Sequence, residues 1–198
     1  MPGEPFAEAL VFEDEMPLDW EAVDQLPPGP RLATLNASNE ALLRVQEGLE
    51  EPARSSEESQ EMAQEFQRLD AKLNLMLELM AEWLRRQGDL PPAVPVRFNA
   101  RGIAWETDAP PGPDTLVRIR LFVCPTLPKP LVLHARVLRH EPCDESDHGT
   151  GAMATRAVAE FLQLSPAAVD GLERLVFRRH RRQVALLRGQ SREGTGRD

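Results

Sequence analysis

Two cysteines, Cys124 and Cys143, are all that the 198 residues hold. No small disulfide-stapled module is implied, and both thiols are expected to be free. The start lacks a charged and then apolar leader, and no apolar run is long enough to span a bilayer, which predicts a cytoplasmic protein without a membrane span. Positive charge is scarce too: 23 Lys and Arg stand against 32 Asp and Glu, a net of −9. Phosphate polymers need a net basic working face, so nucleic acid is excluded as a general partner. Nucleophile elbow, phosphate loop and HExxH are all missing, and the scattered Ser and His form no catalytic arrangement. The expectation is a protein that is not an enzyme, with no catalytic residue and no cofactor. His140, Cys143 and His148 share one loop with Asp144 and Asp147. Two mixed ligands without a second pair elsewhere make a poor zinc signature, so a polar hairpin loop without metal is expected there.

Glycine and proline are absent from residues 53–87, and there the pattern is most regular. Met62, Phe66, Leu69, Leu73, Met76, Met80 and Trp83 recur at alternating steps of 4 and 3. This is a heptad seam, with Phe66, Leu73 and Met80 at a and the other four at d. Ser55 followed by Glu58 reads as a capping box, and Gly88 with Pro91 and Pro92 as the stop. A helix of that length spans roughly 50 Å, more than a domain of this size needs for its own core. Leu77 and Leu84 at e and Leu79 at g widen the apolar face, which points to a bundle of more than two helices. The seven seam residues are the predicted oligomerisation surface, since a monomer would leave a long apolar strip in water.

The charge divides the chain. Residues 1–90 carry 7 basic and 20 acidic side chains, whereas 91–198 carry 16 and 12. Near the start, Ala9, Leu10, Val11 and Phe12 read as a strand, followed by acidic Glu13, Asp14 and Glu15, and residues 26–30 as a stiff linker. A short helix is expected from Asn36 or Ser38 to Glu50, with Leu42, Val45 and Leu49 on one face, packing outside the longer helix. After Gly88 the period changes to two. Val94, Val96 and Phe98, then Ile103 to Trp105, then Val117, Ile119, Leu121 and Val123, then Leu131, Leu133, Ala135 and Val137 alternate with polar or small residues. A weaker strand is expected over 152–159. Ser165 and Pro166 open a helix that runs to about Leu187, and 189–198, with no apolar residue, reads as a disordered tail. Arg178 to Arg182 read as a solvated basic last turn of that helix.

Phe98 to Ile103, the Gly112 turn before Leu116 to Leu121, His134 to Val137, and the junction from Phe161 and Leu162 to Ser165 and Pro166 together resemble the PilZ domain. With a heptad helix inserted after an N-terminal strand, the chain resembles the atypical, tetrameric PilZ subfamily. That resemblance implies an α+β fold: a small antiparallel six-stranded barrel with a C-terminal helix, interrupted by two inserted helices, the longer one a coiled coil. The implied division is 1–34 with the first barrel strand, 35–88 as helical insertion with the tetramerisation helix at 53–87, 89–188 as barrel and C-terminal helix, and 189–198 as tail. It also implies bacterial cyclic di-GMP signalling.

Ligand-binding PilZ domains carry RxxxR before the barrel and D/NxSxxG at its rim; guanidinium groups grip phosphates and stack on guanine. Here Gly102 matches the last glycine, but Asn99 stands for the serine and Arg97 for the acidic or amide residue. Arg85 and Arg86 are adjacent and neither has an arginine four residues on. The expectation is a homotetrameric adaptor or scaffold with weak or absent direct binding of cyclic di-GMP, receiving the signal through a partner protein that senses the nucleotide. Two alternatives stand beside it. One is a direct receptor using Arg97, Asn99, Arg101 and Gly102 as a remodelled site; the other is a plain coiled-coil interaction module.

Overall fold

In a computed structural model the described residues are 4–7, 9–50, 60–87, 90–124, 127, 129–143 and 155–193; side chains at 50, 60–63, 84, 85, 87 and 186–193 are not among them. Six strands, β1 (Phe12–Ala22), β2 (Ala93–Phe98), β3 (Gly102–Thr107), β4 (Leu116–Leu121), β5 (Leu131–Pro142) and β6 (Thr155–Leu162), close into an antiparallel barrel. Their order around the barrel is β1-β2-β3-β6-β5-β4. Closure removes every edge, so each strand needs only one apolar face. Phe12, Met16, Leu18, Val96, Phe98, Ile103, Trp105, Ile119, Leu133 and Val137 fill the interior.

The first strand lies later than expected: it begins at Phe12 and includes Glu13, Asp14 and Glu15. Phe12, Met16 and Leu18 turn inward at alternating positions and Glu13 and Glu15 face out; Asp14 has the inward parity yet stays exposed near the start of the strand. β1 serves two neighbours, pairing with β2 over Phe12 to Pro17 and with β4 over Leu18 to Ala22. Pro17, which has no N–H, sits where the partner changes, and its carbonyl accepts from Phe122. The last strand also lies later, at Thr155–Leu162 rather than 152–159; residues 152–154 are outside the described set.

Three helices accompany the barrel: α1 (Gly29–Glu50), α2 (Gln60–Gln87) and α3 (Pro166–Glu193). α1 absorbs the end of the presumed linker, since Pro30 belongs to its first turn, where its missing N–H costs nothing. Its buried face is partly polar, formed by Asn36, Asn39, Leu42, Leu43 and Gln46, whereas Val45 and Leu49 are exposed. Asn39 donates to the Val132 carbonyl at 2.8 Å and accepts from the Val132 N–H at 3.0 Å, acting as a stub of strand beside β5. Thus, among the described residues, α1 packs on β5 and α3, with no comparable contact to α2. Gly171 permits that approach, because a Cβ there would stand 2.9 Å from Leu43 Cδ1.

Ser165 caps α3, accepting from the Ala168 N–H at 3.1 Å. α3 continues to Glu193, so 189–193 are helical where composition predicted a tail. Its basic run therefore lies inside the helix and is only partly solvated. Arg178 pairs with Glu47 at 2.7 Å; Arg179 donates to the Val123 carbonyl and lies 5.3 Å from the Phe12 ring.

Candidate functional site at the barrel rim and on helix α2

The β2–β3 turn gathers three of the predicted site residues. Asn99, 3% exposed, spends its amide on the protein itself. Its Oδ1 accepts from the N–H groups of Arg101 at 2.7 Å and Gly102 at 3.0 Å, and its Nδ2 donates to the Pro5 carbonyl at 2.7 Å. A side chain two and three residues upstream of the N–H groups it binds is how Asn shapes a turn. Gly102 lies under Pro5: an added Cβ would stand 2.5 Å from the Ala159 carbonyl oxygen and 2.8 Å from Pro5 Cβ. The turn glycine is thus a close-approach residue.

Arg97 projects from β2 on the outer face. Its guanidinium is 4.7 Å from the centroid of the Phe6 ring, and its Nε is 3.3 Å from Glu13 Oε1. The first contact is a cation–π pair within the chain. Arg101 is exposed, and among the described residues its guanidinium has no ion-pair partner. It lines a surface cavity of about 470 Å³ with Glu4, Pro5, Glu160, Phe161 and Gln163. Arg97 lines a different one of about 270 Å³ with Glu13, Asp14, Glu15 and Arg156. The two arginines therefore do not converge on one pocket.

Sequence reasoning missed Arg139 and the segment of residues 4–6. Arg139 Nη2 donates to Glu4 at 2.5 Å and to Glu141 at 2.6 Å. Burial works to lower its pKa, but the hydrogen bonds and charges of Glu4 and Glu141 raise it above the ordinary arginine value. The signal available was slight: a Glu, Pro, Phe run ahead of the first strand, with nothing to say where it docks.

The second feature is α2. Phe66, Leu69, Leu73, Met76, Met80 and Trp83, six of the predicted seam positions, are 49–60% exposed. Met62 and residues 53–59, with the capping pair Ser55 and Glu58, lie outside the described side chains. Leu79, at g, adds to the strip, Leu75, at c, is exposed outside it, and of the helix's described side chains only Ala81 is buried. Salt bridges from Arg68 to Glu65 and Arg86 to Glu82 run along the helix itself. Helix α2 spans about 42 Å.

Among the described residues no helix is long and apolar enough to cross a membrane, and no cluster of three metal-ligating side chains occurs. His140 Nε2 lies 2.6 Å from the Pro111 carbonyl oxygen; Asp144, Asp147 and His148 fall outside the described residues.

A six-stranded barrel with a C-terminal helix and a rim turn ending in glycine defines a PilZ-type domain. The profile of the atypical PilZ domain, described as a cyclic di-GMP receptor, matches residues 40–189, and the chain belongs to this family. A solved structure from Xanthomonas campestris is similar at 29% identity and a TM-score of 0.68, covering 91% of this chain and 93% of that one. That protein is described as pathogenic and as a tetrameric PilZ domain self-assembled through an unusual helical bundle. No protein of curated function matches.

Proposed function

We propose that this protein is a non-enzymatic, homotetrameric adaptor of cyclic di-GMP signalling in which direct nucleotide binding is weak or absent. The observation that carries the reading is the apolar strip of α2. Six large seam side chains, each about half or more exposed, line one side of a 28-residue helix. A strip of that size is an assembly surface, and four such helices bury it in one bundle. The assembly described for the X. campestris structure supports this. Four barrels on one stalk give weak contacts to a partner the benefit of avidity. The partner is a protein that senses the nucleotide.

Weak direct binding follows from how the rim is used. Asn99 is committed to the turn, Gly102 is covered by Pro5, and Arg97 is engaged by Phe6 and Glu13. The exposed guanidinium of Arg101 beside its cavity favours a second reading, a receptor with a remodelled site. Calorimetric titration with cyclic di-GMP, with light scattering on the same sample, tests the proposal. No heat from a particle of four chains is expected; micromolar or tighter binding would replace the adaptor by a receptor.

A further inference from the structure

Arg97 on β2 pairs across the sheet with Ala104 on β3, Ala104 with Val158 on β6, and Val158 with Arg139 on β5. These four residues form one row across the outside of the barrel, about 14 Å from the first Cα to the last at the usual strand spacing. Ala104 and Val158 alternate with inward Ile103, Trp105, Ala157 and Ala159, so they point away from the core, yet they are 1% and 0% exposed. Something on the outside covers them. The segment of residues 4–6 touches both ends of the row: Phe6 lies on Arg97, Glu4 pairs with Arg139, and Pro5 rests on Gly102 beside it.

The row is a groove with a flat floor of small side chains and a guanidinium at either end. The segment fills it with an aromatic ring and a carboxylate. It joins no ladder; its described main-chain bonds are Ala7 N–H to the Glu4 carbonyl and the Pro5 carbonyl to Asn99. The contacts that hold it are therefore ones that an incoming aromatic anion satisfies equally well. Glu4 and Pro5 also wall the cavity that Arg101 lines.

We infer that residues 4–6 are an intramolecular strap occupying the groove between Arg97 and Arg139, with Arg101 in the adjoining cavity, and that a cyclic dinucleotide binds there only when the strap is displaced. This deepens the reading of weak direct binding and rests on it. A tethered occupant competes at high effective concentration, and the apparent affinity falls by the fraction of open molecules.

The test uses the full chain and cyclic di-GMP itself. Releasing the strap with Glu4→Gln and Phe6→Ala together is expected to tighten binding about tenfold or more, and adding Arg97→Gln to abolish the gain. In the unaltered chain, saturating nucleotide is expected to accelerate chymotryptic cleavage after Phe6. An unchanged affinity in a released variant that still melts cooperatively overturns the inference, as does a gain that survives Arg97→Gln. If the released variant does not fold, the cleavage assay decides, and no acceleration overturns it. Capture of a peptide of residues 2–9 by the released variant without nucleotide binding also overturns it, in favour of a peptide groove. Tight binding by the unaltered chain counts against the adaptor reading alone, because the strap is judged on the difference between the two proteins.

Discussion

Replacing Leu73 with Asp probes the assembly most directly. Leu73 sits at an a position midway along the strip and is 49% exposed in the single chain. Covering half of a large apolar side chain stabilises by roughly 1 kcal/mol. The six described seam residues thus contribute on the order of 6 kcal/mol per chain and ~25 kcal/mol per four chains. Immobilising three further bodies costs about 4 kcal/mol or more each, so the surplus holding the bundle is on the order of 10 kcal/mol at most. Asp at position 73 removes about 1 kcal/mol per chain and places four carboxylates in one seam, where each unpaired charge costs several kcal/mol to desolvate. The sum is on the order of 10 kcal/mol or more, enough to exceed that surplus. Light scattering should fall from about four times the 22.2 kDa chain mass to about one. Leu75→Asp, equally exposed but at c and outside the seam, should leave the mass unchanged. The reasoning is refuted if Leu73→Asp still runs at four chains, or if both variants dissociate alike.

Four further outcomes follow from the barrel and its helices. Asn99→Ala strips two N–H groups and one carbonyl of their partners at a buried turn, and should cost about 3 kcal/mol in urea unfolding. Asn39→Ala should cost about 2 kcal/mol by the same assay, since it orphans both polar groups of Val132. Gly102→Ala forces a methyl against the Ala159 carbonyl and Pro5, and a loss of about 1–3 kcal/mol is expected, with the segment of residues 4–6 released first in hydrogen exchange. His134, 5% exposed, has its pKa lowered from 6.5, first by burial and then by the Arg118 charge. The unfolded chain therefore binds the proton more readily than the folded one. Its stabilising share is complete above pH 6.5 and declines as pH falls from there through the lowered folded value. His134→Gln should flatten the stability profile in that window, as read from urea midpoints between about pH 7 and 5.

The strands from Val94 to Val137 were legible because a period of two is a local signal and each strand has one wet face. The α2 helix and its exposed apolar strip were legible for the same reason, their period being written in consecutive residues. The α1 boundaries were not. Its docking face uses Asn36, Asn39 and Gln46, and the two asparagines depend on backbone groups of Gln163 and Val132 far along the chain. Counting apolar residues chose Leu42, which is buried, together with Val45 and Leu49, which are exposed.

The rim shows the same division. The resemblance to the PilZ motifs singled out Arg97, Asn99, Arg101 and Gly102, and the turn does join three of them. Only the tertiary structure assigned their use. Asn99 meets Pro5 94 residues away, Phe6 claims Arg97, and Arg139 enters from a strand that no motif connects to the turn. Sequence by itself determined which segments must be strand or helix and which face of each is apolar, since those follow from neighbours within a few residues. Closure of the barrel decided which side chains stand in one row, because register couples residues whose separation along the chain carries no pattern.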